Sequence, residues 1–138
     1  MTGKLIQRLQ DASRSGVYRV ARADEVLDAT RGSKLFVARI PFAEKEKLLK
    51  NIAGVLAFPD WFGHNWDALE DCLTDLSWRE VPGHVLLFED AKPSDDLGVL
   101  LDILRSSAEW WAGRGKPFFA VFVDPRRALP LPDLFRQS

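Results

Sequence analysis

Three strand-length runs in this chain carry almost no polar side chain: residues 35–40 (Leu35-Phe36-Val37-Ala38-Arg39-Ile40), residues 85–88 (Val85-Leu86-Leu87-Phe88) and residues 118–123. A strand with one face in water alternates apolar and polar positions, so an unbroken apolar run belongs to a strand covered on both faces. Between these runs the pattern changes to the helical period. Residues 44–57 place Leu48, Leu49, Ile52 and Val55 on one face, and Ser94 is a natural N-cap for a helix that runs to about Ala112 and ends at Gly113 and Gly115. Buried strands separated by helices predict an α/β architecture around a parallel or mostly parallel sheet. A chain of 138 residues is the length of one domain and can bury a substantial core.

The remaining segments are weaker. Residues 4–13 carry Leu5, Ile6 and Leu9 at helical spacing before Gly16, residues 17–20 suit a short strand, and residues 23–30 suit a short helix closed by Gly32. Whether residues 17–20 join the sheet is left open by the sequence. The Pro-rich stretch from Pro125 to Ser138 reads as an ordered or fraying tail. With 46% apolar and 28% charged residues the chain is neither disordered nor fibrous. Its single cysteine, Cys72, permits no internal disulfide and no cysteine-based zinc site. No segment has the length and apolarity of a membrane span, and residues 1–8 do not resemble a secretory leader, so a cytoplasmic, monomeric protein is expected.

A net charge of −1 conceals segregation: residues 1–50 sum to +5, residues 51–102 to −9 and residues 103–138 to +3. The acidic middle would repel phosphates, which points to a cationic partner and away from nucleic acid.

Much of that charge lies on a helix expected over residues 65–76. At about 100° per residue, Trp66, Leu69, Cys72, Leu73 and Leu76 form one apolar stripe, while Asp67, Glu70, Asp71, Thr74 and Asp75 share the opposite side. Asn65 is a natural N-cap, and Asp67 in the first turn suits the helix dipole. Helix chemistry does not account for Asp71 and Asp75. The pairs Asp67/Asp71 and Asp71/Asp75 repel at i,i+4, and Asp75 falls at the negative end of the dipole. A local cost without local compensation points to a binding surface. The loop before the helix adds Phe58, Trp61 and Phe62, with Gly63 at a tight turn. Trp66 belongs to the core stripe, whereas Trp61 is the aromatic expected at the surface, where such side chains anchor protein partners.

The stretch Leu56-Ala57-Phe58-Pro59-Asp60-Trp61-Phe62-Gly63-His64-Asn65-Trp66-Asp67-Ala68-Leu69-Glu70-Asp71-Cys72-Leu73-Thr74 closely resembles the barstar family of intracellular ribonuclease inhibitors. The resemblance covers about residues 34–124. It implies a barstar-like α/β fold with a small three-stranded parallel sheet packed with helices, preceded by an N-terminal helix and strand extension over residues 1–33 and followed by a tail over 125–138. It further implies a bacterial immunity or antitoxin role in which the acidic helix blocks the active site of a basic, barnase-type guanyl-preferring ribonuclease. In that reading Asp71 is the main carboxylate with Asp67 beside it. Trp61, Gly63, Asn65 and Thr74 match further contact positions, and Glu70 and Asp75 extend the acidic face. A ribonuclease holds phosphates with cations, so carboxylates in the same places can stand in for substrate. Two departures are visible. Glu70 stands where the family has an aromatic residue, and a family glutamate late in the long helix is replaced by Trp110, with Glu109 adjacent.

Other chemistries have less support. His64 with Asp67 and Asp71 is poor metal spacing, and neither a Gly-rich phosphate loop nor a Ser/His/Asp set accompanies the carboxylates, so no cofactor and no enzymatic activity are expected. Cys72, on the apolar stripe, reads as an inert buried thiol, and His84, ahead of a strand, as structural. Of the adjacent Trp110 and Trp111, helical geometry sends one inward and leaves the other at the surface. The competing function is a barstar-fold interaction or regulatory module for a different basic protein.

Overall fold

The computed structural model describes residues 2–59, 63–76 and 80–135. The chain runs α1 (Thr2–Leu9), a 3-10 turn (Ala12–Arg14), β1 (Gly16–Val20), α2 (Ala23–Thr30), β2 (Phe36–Pro41), α3 (Lys45–Leu56), α4 (Trp66–Leu73), β3 (His84–Glu89), α5 (Asp95–Ala112) and β4 (Phe118–Val123). The strands form one fully parallel sheet in the order β1-β4-β3-β2. The sheet therefore has four strands where three were expected. Residues 16–20 pair with Phe119–Val123 and cover an edge of β4 that would otherwise expose its backbone.

Alternation along the strands splits the core into two layers. Ala38, Ile40, Leu86, Phe88, Phe118, Ala120 and Phe122 face α3, α4 and α5, and the Phe88 and Phe122 rings stack 4.8 Å apart. Val85, Leu87, Phe119 and Val121 face α1 and α2 through Leu5, Leu9, Val26 and Ala29. Burying one large apolar side chain is worth about 1.5–3 kcal/mol, and both faces of β3 and β4 contribute. The connections from β2 through β3 to β4 step one way across the sheet. The connection from β1 to β2 crosses to the far edge, which places its helix on the opposite face.

The two edges of the sheet end differently. At β2 the strand ends in Pro41, whose carbonyl accepts a hydrogen bond from Asn51 Nδ2 at 3.1 Å, and Arg39 pairs with Glu89. Beyond β1 the C-terminal segment returns: the Arg19 N–H donates to the Pro132 carbonyl and the Leu134 N–H to the Arg19 carbonyl, both at 2.9 Å. Arg19 Nε also donates to Asp133 Oδ1 at 2.9 Å, and the buried Asp124 carboxylate accepts the N–H groups of Ala128 and Leu129. Leu129 and Leu131 enter one core layer and Leu134 the other.

Several expected boundaries shift. The first helix ends at Leu9 rather than Ser13, because Asp11 caps a separate 3-10 turn by accepting the Ser13 N–H. On α3, Leu48, Leu49 and Ile52 are buried as expected, but Val55 is 36% exposed and Leu56 is the buried residue of the last turn. The acidic helix stops at Leu73, three residues short of the expected end.

Candidate functional site: the acidic helix and its flanks

Eight residues are too few for an independently stable helix, so α4 depends on its caps and its packing. At the N-terminus, Asn65 Oδ1 accepts the Ala68 N–H at 2.8 Å while Asn65 Nδ2 donates to the Gly63 carbonyl at 3.4 Å. A Cβ on Gly63 would lie 3.1 Å from that amide nitrogen, so a side chain at position 63 would press on the cap. At the C-terminus, Thr74 Oγ1 donates to the carbonyls of Glu70 (2.9 Å) and Asp71 (3.3 Å). The Asp75 and Leu76 N–H groups both turn back to the Cys72 carbonyl, which ends the helix. His64 and Leu76, with φ of 53° and 45°, bracket the element. A left-handed conformation costs a non-glycine residue about 1–2 kcal/mol. Leu76 holds it while its side chain is buried in the core.

The inward face is Leu69, Cys72 and Leu73, all buried. Trp66, expected in the core, is only half-buried: it packs against the core on one side and carries Lys45 Nζ 5.6 Å from its ring centroid on the other. Burial, with smaller contributions from Asp75 and then Asp71, pushes the Cys72 thiol up to about 11 and keeps it protonated at neutral pH.

The outward face is Asp67, Glu70 and Asp71, all exposed. Among the described residues no ion pair involves any of the three. Asp75 is exposed as well, but it lies in the turn after α4, so its placement on the same helical face is corrected. Thr74 is half-buried and its hydroxyl serves the helix terminus. Trp61 and Phe62 lie outside the described residues. No three His, Cys, Asp or Glu side chains gather into a metal-ligand group among the described residues. No helix among them is long and apolar enough to cross a membrane.

A contact that the sequence did not reveal fixes this surface from behind. The buried Trp111 indole donates from Nε1 to the Leu73 carbonyl at 2.7 Å and so ties the end of α5 to the end of α4. Its neighbour Trp110 is half-buried beneath Arg114, whose guanidinium carbon is 3.4 Å from the ring centroid. The pair divides as helical geometry requires. His84 is buried beside Phe36, Trp111 and Phe118, which fits a packing role.

The parallel α/β sheet thus carries an exposed row of carboxylates on a short, capped, core-anchored helix. Residues 37–123 match the family described as Barstar (barnase inhibitor), and the chain belongs to that family. The family is one of ribonuclease inhibitors, not enzymes. No curated protein sequence matches the chain.

Proposed function

We propose that this chain inhibits a basic, barnase-type guanyl-preferring ribonuclease by seating α4 and the loop before it in the active-site groove. Asp71 and Asp67 take the places of RNA phosphates. The observation that carries this reading is the exposed row Asp67, Glu70 and Asp71, which makes no ion pair among the described residues, on a helix of a barstar-family chain. Carboxylates facing a ribonuclease's arginines and lysines gain charge-assisted hydrogen bonds and steer the encounter. Gly63 and Asn65 set the shape of the loop, Trp61 supplies an aromatic anchor, and Thr74 and Asp75 complete the far end. The reading requires no catalytic group, metal, cofactor, nucleic acid or membrane, and it places a monomeric inhibitor in the cytoplasm.

Glu70 favours a second reading, a barstar-fold regulatory module for another basic protein, because it puts charge where an aromatic contact is expected for a barnase-like target. One experiment addresses both. Titration of the chain into a barnase-type ribonuclease is expected to abolish RNA cleavage at one-to-one stoichiometry. Asp71→Ala should weaken that complex by about 2–5 kcal/mol, the usual effect of truncating one partner of a buried charge pair. Folding stability should change by no more than about 0.5 kcal/mol. Equal affinity of wild type and variant removes the proposed site. Lack of inhibition together with tight binding to an unrelated cationic protein supports the second reading.

A further inference from the structure

At each end of α4 a cation rests on an indole ring. Trp66, the first residue of the helix, carries Lys45 Nζ 5.6 Å from its ring centroid. At the other end, the Trp111 indole that is bound to the Leu73 carbonyl has the Trp110 ring edge-on at 4.8 Å, and the Arg114 guanidinium carbon lies 3.4 Å from the Trp110 centroid. Lys45 and Arg114 are both exposed, and among the described residues no ion pair involves either. Arg114 Nη1 donates to the Trp110 carbonyl at 3.2 Å, which serves the end of α5, and no other acceptor among the described residues meets the remaining N–H groups of the guanidinium. Stacking through its flat face fixes the direction of that fork before a partner arrives, which lowers the ordering cost of a bidentate contact. A helix of eight residues is about 12 Å long, whereas an interface centred on it covers about 800 Å² on each partner, so one footprint reaches both ends.

We propose that Lys45 and Arg114 each receive a carboxylate of the protein partner, a deepening that rests on the inhibitor reading above. The cationic centre of the partner meets Asp67, Glu70 and Asp71, and an acidic side chain on either side of that centre meets the ring-held cations. The order positive, negative, positive fixes the register of the complex, because a slip along α4 sets like charges against each other. Arg114 is the stronger of the two contacts, since its fork takes a carboxylate bidentately whereas the Lys45 ammonium acts as a point charge. A partner surface that is basic throughout meets repulsion at both ends of the helix.

The sign of the effect decides the test. Removing a cation makes the chain more acidic, so a partner that is only basic should bind more tightly, whereas one with carboxylates at these places should dissociate faster. Arg114→Gln and Lys45→Gln are each expected to raise the dissociation rate from a barnase-type ribonuclease about twofold to fivefold, with Arg114→Lys falling between Arg114→Gln and the wild type. A purely structural role would lower the urea midpoint and leave that rate unchanged. An unchanged or slower rate overturns the assignment for that cation. A second arm uses the full chain without a ribonuclease. N-acetyl-glutamate amide should produce a saturable NMR shift at the Arg114 Nε–H and the Trp110 indole N–H, weakened about twofold in Trp110→Leu, where the guanidinium loses its platform. No shift, or an equal shift from neutral N-acetyl-glutamine amide, overturns the proposal even where a ribonuclease is inhibited, and the inhibitor reading then stands alone. Failure of the inhibitor reading itself appears as absence of any complex with the wild-type chain, and the amide titration then decides the proposal by itself.

Discussion

Replacing Trp111 by Phe isolates the contact that holds the acidic face in place. Phenylalanine keeps an aromatic ring at a position only 7% exposed but removes the N–H that donates to the Leu73 carbonyl at 2.7 Å. A buried carbonyl left without its donor costs about 1–3 kcal/mol. The smaller ring leaves unfilled space worth about 1 kcal/mol more, so the variant should be about 2–4 kcal/mol less stable. At about 3–4 °C per kcal/mol for a domain of this size, the midpoint of thermal unfolding should fall by on the order of 10 °C. Urea titration followed by circular dichroism measures the free energy, with Trp110→Phe as the control, because that neighbour is half-buried and is not the donor to Leu73. Backbone hydrogen exchange at Asp75 and Leu76, whose N–H groups close the end of α4 onto the Cys72 carbonyl, should accelerate in Trp111→Phe alone. Equal stability of the two variants would refute the claim that the indole bond anchors α4.

Three other outcomes are expected. Because the Cys72 thiol is raised from 9.0 to about 11 by folding, an unfolded chain releases that proton before the folded one does. Its contribution is full below about pH 9 and is lost as pH rises toward 11, a decline that urea titrations at several pH values should record and Cys72→Ala should flatten. Asp133→Ala removes the carboxylate that pairs with both Arg19 and Arg127. It should cost about 1–3 kcal/mol of stability while leaving ribonuclease affinity unchanged, since the contact lies on the β1 edge. The association rate with a basic ribonuclease should fall steeply as ionic strength rises past about 0.1 M, and stopped-flow mixing that shows a salt-independent rate would exclude steering by the acidic face.

The parts of the fold that could be read from sequence are those in which one residue type repeats with one environment. Val85 to Phe88 and Phe118 to Phe122 are buried on both sides, so their composition alone places them in the middle of a parallel sheet. β1 is different. The fourth of its five residues is Arg19, whose charge is satisfied by Asp133 and by the Leu129 carbonyl more than a hundred positions away. Local periodicity holds no trace of such a partner, so it does not reveal that residues 16–20 pair with β4 as a fourth strand. The end of α4 at Leu73 is hidden from the sequence for a related reason. Leu76 has the right spacing to continue the apolar stripe and is indeed buried, but it reaches the core through a left-handed turn rather than a further helical turn. Asn65 as the N-cap and the exposed carboxylates at 67, 70 and 71 were legible, because caps and amphipathic faces are local properties. The tie from Trp111 was not, because a Trp-Trp pair signals one buried ring without saying which carbonyl it meets.

These observations separate what keeps α4 in place from what it offers. Its stability comes from Leu69, Cys72 and Leu73 underneath, from Asn65 and Thr74 at the two ends, and from the Trp111 indole behind. None of these groups is an outward carboxylate. Asp71 even opposes the helix, since it lies in the last turn where the dipole disfavours negative charge and repels Asp67 one turn earlier. A helix so anchored can change its outer residues with little effect on folding, and the type of partner can then vary with them on an unchanged scaffold. Glu70 illustrates the point. Exposed and without an ion pair among the described residues, it adds a third negative charge to the row at almost no structural cost. A partner that fits this face must supply a cation for it as well, and a target with an apolar patch there leaves one carboxylate desolvated and unpaired, a penalty large enough to select between related ribonucleases.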